Sequence, residues 1–335
     1  MEPVAWQAPV DRGFIDPFAP NDQLKTASGI HLGNFEGPED ATVGAGQHIY
    51  VTTYNGVILK IRNRGISEFA NVGGRPLGII ADSDGSLLIA NAYHGIQRVS
   101  PSGEVASILA EVNGEPLIYA NSLTIAPDGT IFFSNSSNKF GAQEFGGTYE
   151  AAVIDLLEHG GHGHVYAYDP KTGVVDEIID DLNFANGIAI SEDGSYLLVA
   201  ETGSYRILKH WLSGDNAGTT DVLLDNLPAF PDNIKRGKNG RFWIGFASPR
   251  NAAMDKLSDK PLLRKVVQRL PASLRPSAQP YSQVIAINGD GQVLMSMRDI
   301  EARFPTLTGV IETHDTLYLT TLFGNQLPRL AKRDL

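Results

Sequence analysis

One short pattern recurs along the chain: a polar or small opening residue, an apolar strand, a turn with Gly, and a second apolar strand. It is seen in "PEDATVGAGQHIYVTTYNGVILKI" (38–61), "PLGIIADSDGSLLIANAYHGIQRV" (76–99) and "ANSLTIAPDGTIFFSNS" (120–136). It returns in "ANGIAISEDGSYLLVAETGSYRILKHW" (185–211), "PDNIKRGKNGRFWIGF" (231–246) and "LTGVIETHDTLYLTTLFG" (307–324). The turns Asp84-Gly85, Asp128-Gly129, Asp193-Gly194 and Asn239-Gly240 suit tight hairpins, because Gly and Asn tolerate positive φ. The strands that follow them are rich in Ile, Leu, Val and aromatics.

Opening strands counted from residues 39, 77, 121, 186, 232 and 309 give six units, spaced 38, 44, 65, 46 and 77 apart. Most of these spacings approach the length of a four-stranded propeller blade. The expected fold is therefore all-β, a single six-bladed β-propeller over 1–335 with short helical insertions. The insertions fall at about 137–165, where "EAAVIDLLEHG" reads as a short helix, and at 251–276. The last unit is one strand short. A strand around "RGFIDPF" (12–18) is expected to complete it and close the ring, which removes exposed edges. A β-sandwich, the other architecture considered, explains neither the six units nor their spacing.

In a propeller the first strand of each blade lines the central channel, with its opening residues near one mouth. Those positions here are Glu39, Leu77, Asn121, Asn186, Asp232 with Asn233, and Thr308 or Gly309. Four of the six units thus bring an oxygen-bearing side chain to one register. Carboxylate and amide oxygens are hard donors suited to Ca²⁺. Glu39 and Asp232 would neutralise the ion, while Asn121, Asn186 and Asn233 would add oxygens without further charge. Mg²⁺ or Mn²⁺ would also suit such a cavity, and no close His pair or Cys set points to Zn²⁺. Glu36 rivals Glu39 for the same position. Asp40 would point away from the channel mouth, to cap the loop or serve a second buried ion.

Other classes of function are poorly supported. The formal net charge of −11, from 38 acidic and 27 basic side chains, argues against a general nucleic-acid surface. No apolar run approaches the about 18 residues of a membrane span. The absence of cysteine removes disulfides, thiolate metal sites and a Cys nucleophile. No "GxSxG" marks a serine hydrolase, Ser122 has no triad signature around it, and no nucleotide fingerprint is present. The opening "MEPVAWQAPVDRGFIDPF" lacks a basic flank and a continuous apolar stretch, so a cytoplasmic location is expected. Whether the chain is a monomer or a dimer is left open.

"FANGIAISEDGSYLLVAETGSYRI", supported by "LPAFPDNIKRGKNGRFWIGF" and "FEGPEDATVGAGQHIYVTTYNGVILKI", resembles a known superfamily. This is the six-bladed calcium-dependent propellers: paraoxonases, gluconolactonase/regucalcin-type enzymes and strictosidine synthase-like proteins. The insertion ending "HGHVYAYDPKTG" is most similar to the strictosidine synthase-like branch, and the likeness covers about residues 30–325. The resemblance implies a calcium held by Glu39 in "GPED", Asn121 in "ANSL", Asn186 in "ANGI", and Asp232 with Asn233 in "PDNI". The gluconolactonase-type pattern would instead use Glu36.

Two departures stand out. The second-blade "HGI" of paraoxonases reads "PLGII" here, with Leu77 in the His position; His94 in "NAYHGI" is the nearest source of an imidazole. The sixth-blade Glu of strictosidine synthase aligns with Thr308, and Glu312 would sit well down the channel.

The reaction implied is hydrolysis of a lactone or activated ester, the metal polarising the carbonyl at the channel mouth. Glu39, Asp232 and His94 are the candidate catalytic groups. The "HGGHGH" histidines His159, His162 and His164 would form a lid or wall, one of them assisting catalysis, or simply a solvated loop. Tyr93, Phe140, Phe145, Tyr149, Phe246 and Phe323 would form an apolar pocket for a moderately hydrophobic small molecule. The alternatives are a noncatalytic metal-stabilised binding propeller, or a condensing enzyme or isomerase using the same cavity.

Overall fold

A computed structural model describes residues 1–62, 65–271 and 274–335. Six four-stranded antiparallel sheets follow one another along the chain and form a six-bladed β-propeller. The innermost strands are Ala41–Val43, Pro76–Ala81, Ala120–Ile125, Ala185–Ile190, Ala229–Arg236 and Leu307–Glu312. Most of their residues are buried, because each such strand packs on its neighbours on both faces. The Asp-Gly turns form as expected, with Gly129 and Gly194 at φ 95° and 74°.

The ring closes by a strand from the N-terminal region, but not by the expected one. Ser28–His31 pairs antiparallel with Gln326–Ala331, with Ser28 opposite Arg329 and Ile30 opposite Leu327. Residues 12–18 form no strand; they lay Phe14 against Tyr281 and Phe18 against Phe246, in the core of blade 5. The reason is that a closing edge strand is held mainly through its backbone hydrogen bonds. Ser28–His31 is largely exposed, so no apolar alternation marks it.

The expected helix of the first insertion is α1 (Thr148–Glu158); the second carries α2 (Ala252–Lys256) and α3 (Pro261–Gln268). Both insertions join the second and third strands of a blade, blade 3 and blade 5 respectively. In an antiparallel meander the second strand ends where the first began. Both insertions therefore emerge at the mouth that carries the opening residues, and α1 packs against α3 there.

Glycine follows several opening residues for a steric reason. A Cβ on Gly187 would lie 2.2 Å from the Ile234 nitrogen and 2.4 Å from the Asp232 carbonyl oxygen. One on Gly78 would lie 2.7 Å from the Asn121 carbonyl oxygen. Neighbouring inner strands can approach this closely only without that carbon. Gly187→Ala is expected to cost about 2–3 kcal/mol through overpacking against backbone. Urea unfolding checks this; a cost under about 0.5 kcal/mol, the range of surface changes, would contradict it.

Candidate functional site

Glu39, Asn121, Asn186 and Asp232 converge on one cavity at the channel mouth, with about 970 Å³ of atom-free space, part of it open to solvent. Asn233 lies directly behind them and is fully buried. The amide hydrogens are committed to the protein. Asn121 Nδ2 donates to Ser136 Oγ at 2.9 Å, and that hydroxyl donates to the Ala185 carbonyl at 2.7 Å. Asn233 Nδ2 donates to Glu39 Oε1 at 3.0 Å and to the Glu39 carbonyl at 3.1 Å. Asn186 lies beside the Asp232 carboxylate, whose charged form it favours.

The acceptors tell the opposite story. Glu39 Oε2 and the Oδ1 atoms of Asn121, Asn186 and Asn233 are all buried without a hydrogen-bond partner. One unpartnered buried acceptor is costly, and four gathered at one channel mouth call for a shared electropositive partner. The carboxylates agree. Burial, then the charges of Asp232 and Asp40, holds Glu39 well above the usual carboxylate range. Burial, opposed by the Asn186 amide and reinforced by the charge of Asp40, pushes Asp232 up to about 7. The Arg75 guanidinium and the Asn233 amide offset only part of the rise at Glu39, and buried carboxylates facing free amide oxygens fit a hard divalent cation. The described residues hold no group of three or more His, Asp or Glu with metal-ligand geometry, because two carboxylates and three amides make up this donor set.

The neighbouring carboxylates separate clearly. Glu36 is exposed and meets its surroundings through its carbonyl, which accepts from the Tyr54 N–H at 2.7 Å. Asp40 points to the far side of the strand, where Lys235 Nζ lies 2.6 Å from Oδ2. The N–H groups of Ile79 (2.9 Å) and Ala41 (2.8 Å) complete its partners. A side-chain ammonium thus neutralises Asp40 within the channel. Thr308 is buried beside the site, its Oγ1 donating to the Glu39 carbonyl at 2.6 Å, and Leu77 gives the cavity an apolar surface. Glu312 lies at the other end of its strand, held by Trp243, Lys238 and Lys332.

His94 is exposed in the short connection after Asn91 and does not line the cavity, so it is removed from the site. The "HGGHGH" histidines also stay outside. His159 stacks on Trp6 at 3.8 Å, and burial pushes it down to about 3; His162 pairs with Glu158 at 2.8 Å, and His164 with Glu177 at 2.9 Å. The insertion does wall the mouth, but through α1, which contributes Thr148, Tyr149, Ala152, Val153 and Leu156.

Of the aromatics expected there, only Tyr149 lines the cavity. Its hydroxyl accepts from the Ala278 N–H at 2.9 Å, joining the two insertions. Phe246 is fully buried in the core of blade 5, and Phe140 and Phe145 pack edge-to-face on each other. Phe323 is 45% exposed, touching the ring of Tyr149, and Tyr93 stands beside His94. The residues missed are Tyr119, Phe184 and Phe230. Each precedes a polar opening residue by two: "YAN", "FAN" and "FPD". Period-two alternation puts position i−2 on the same face, so these rings form a collar above the oxygens. In blade 2 that register is Arg75, buried with its guanidinium 4.6 Å from the Tyr54 ring centre.

The comparisons with known proteins agree with this architecture. The strictosidine synthase family model matches residues 121–215, and that for the strictosidine synthase-like N-terminal region matches 16–61. Protein strictosidine synthase-like 10 of Arabidopsis thaliana is 33% identical over 88% of this chain and 84% of its own. The chain belongs to the strictosidine synthase-like family. Adipocyte plasma membrane-associated protein of Salmo salar is 32% identical over 95% of this strictosidine synthase-like chain and 80% of its own length. Among solved structures, a gluconolactonase from Xanthomonas campestris superposes with TM-score 0.66 at 17% identity, covering 91% of this chain and 88% of that one. The calcium-binding protein regucalcin from Agrobacterium tumefaciens gives 0.62 at 14% identity, covering 90% and 93%. At such identities the shared property is the fold.

Proposed function

We propose that this strictosidine synthase-like chain is a calcium-dependent hydrolase of lactones or activated esters. The observation that carries the reading is the set of four buried, unpartnered oxygens of Glu39, Asn121, Asn186 and Asn233 beside Asp232, under a substrate-sized cavity. These five residues would hold the ion. When bound, it would supply a positive charge that polarises a carbonyl and stabilises the developing oxyanion.

The chain's own groups divide the remaining work. Asp232 is our choice of base for an attacking water, because Glu39 Oε1 is already engaged by Asn233. A carboxylate is a weak base, which favours an activated acyl substrate over an amide. The collar of Tyr119, Phe184 and Phe230, with Leu77, Val153 and Leu156, favours an apolar acyl or lactone body and excludes bulk water. A condensing reaction is less well supported. The cavity receives no carboxylate from blade 6, where Thr308 is occupied with the Glu39 carbonyl.

The test is hydrolysis of a lactone and aryl-ester panel after chelation, then after Ca²⁺ is restored, with ion binding followed by calorimetry and folding by circular dichroism. Turnover that disappears and returns with the ion is expected. A folded protein that binds calcium yet turns over no member of the panel would overturn the hydrolase reading and leave a binding propeller.

A further inference from the structure

We propose that α3 and the segment around it form a docking face for an anionic lipid surface. The helix is inverted relative to an ordinary surface helix, whose apolar stripe faces the core. Leu262, Leu263 and Val266 are 78%, 49% and 57% exposed, and Leu274 just beyond is 65% exposed. Arg264 instead is 1% exposed and points inward. Its guanidinium donates to the carbonyls of Leu157, Glu158 and Ser258 and to that of Val4. That arginine ties α3 to the C-terminal end of α1 and to the N-terminal segment. The outward stripe is therefore fixed by a buried anchor and has nothing packed over it among the described residues.

Charge selects the occupant. Residues 251–276 contain six Lys or Arg and two Asp, a formal +4 in a chain of −11. Asp259 pairs with Lys260 at 2.6 Å and Asp255 with Arg250 at 3.0 Å. Lys256, Lys265 and Arg269 have no ion-pair partner among the described residues; Lys256 and Arg269 are exposed, and Arg269 lies three residues after Val266 on the same helix face. A two-fold dimer through this face would set one positive patch against its copy. An anionic bilayer would instead attract this face, and the acidic remainder of the protein would turn away beyond the Debye length of about 8 Å. Apolar side chains flanked by cations are the composition of an interfacial helix.

The location adds a consequence. Met254 of α2 and the 276–279 segment line the cavity mouth on one side, and α1, packed on α3, lines it on another. Docking through α3 brings the mouth close to the lipid, so apolar molecules dissolved there can enter without crossing bulk water. This inference is independent of the hydrolase reading, since its test reads binding and not turnover.

The full chain is mixed with phosphatidylcholine vesicles, with and without phosphatidylglycerol, and recovered by flotation. Binding to the anionic vesicles alone, weakened by salt, is expected. Each cation near such a surface is worth about fivefold in partitioning, so Lys256→Gln/Lys265→Gln/Arg269→Gln should bind about a hundredfold more weakly. Leu262→Ser/Val266→Ser should also lose binding, whereas Val222→Ser, half-exposed on an outer strand of blade 4, should keep it. All these changes are at the surface, and unchanged melting temperatures verify folding. Absence of binding to anionic vesicles, equal binding by the α3 variants, or equal loss in Val222→Ser overturns the proposal. So does a wild-type dimer in sedimentation that Leu262→Ser/Val266→Ser dissociates, which would assign the face to a second copy.

Discussion

Asp232→Asn is expected to lower calcium-dependent turnover on the order of 10³-fold, the scale of losing a metal-site ligand and base together. The same change should make the calcium-free protein more stable at pH 8. The two effects share one cause. Burial raises the Asp232 carboxyl to about 7, against 3.8 for a solvated aspartate. Between about pH 4 and about pH 7 the native state keeps a proton that the unfolded state has released. The corresponding stability is complete below about pH 4 and is lost as pH rises through that window.

At about 1.4 kcal/mol per pH unit, the loss over that window is on the order of 4 kcal/mol for the chelated wild type. Glu39, raised in the same direction, adds to it. Asn carries no charge at any of these pH values, so its melting temperature should fall less steeply. Calcium should flatten the wild-type profile, because an ion held by these folded-state residues would bind the native state only. Calorimetry at pH 5 and pH 8, with chelator and with Ca²⁺, measures all of this. A chelated wild type whose stability does not fall with pH, or an Asp232→Asn protein with the same slope, would contradict the buried-charge account.

Lys235→Met should destabilise the fold by about 3–5 kcal/mol, the cost of leaving a buried charge without its partner. Asp40 has no exposed surface, and Lys235 Nζ, which also donates to the Ile79 carbonyl at 2.9 Å, is its counter-charge. The pair links the innermost strands of blades 1, 2 and 5 across the channel. Burial raises the Asp40 carboxyl and Lys235 opposes that rise. Without the lysine, Asp40 must take up a proton or admit water into a packed channel. Asp40→Asn/Lys235→Met should lose less than Lys235→Met alone, because no charge is then stranded. Urea unfolding of the three variants gives the coupling. A Lys235→Met cost below about 1 kcal/mol would mean that the channel solvates Asp40 without help.

Much of the site was legible because blades repeat. A repeat puts equivalent residues at equivalent depth, so Glu39, Asn121, Asn186 and Asp232 could be gathered from four distant segments by register alone. The aromatic collar was legible by the same logic, two positions earlier, in Tyr119, Phe184 and Phe230. Rings after the strands and in the insertions share no such register, and among those only Tyr149 reaches the cavity. His94 shows the limit of proximity in sequence. It follows a blade-2 strand at the correct mouth, yet its connection is too short to fold inward, and the ring stays in solvent.

What the sequence determined by itself was the number of blades, the position of both insertions and the side chains that ring the channel. Period-two alternation and Gly turns are local, and the repeat carries them around the ring. Only the tertiary structure decided which carboxylate of "FEGPED" lines the cavity, since a strand sends Glu39 and Asp40 to opposite faces and leaves Glu36 outside. It alone revealed Lys235 as the partner of Asp40, a contact between residues 195 positions apart. It also selected Ser28–His31 as the closing strand, since an edge strand is held by backbone hydrogen bonds that no side-chain pattern announces.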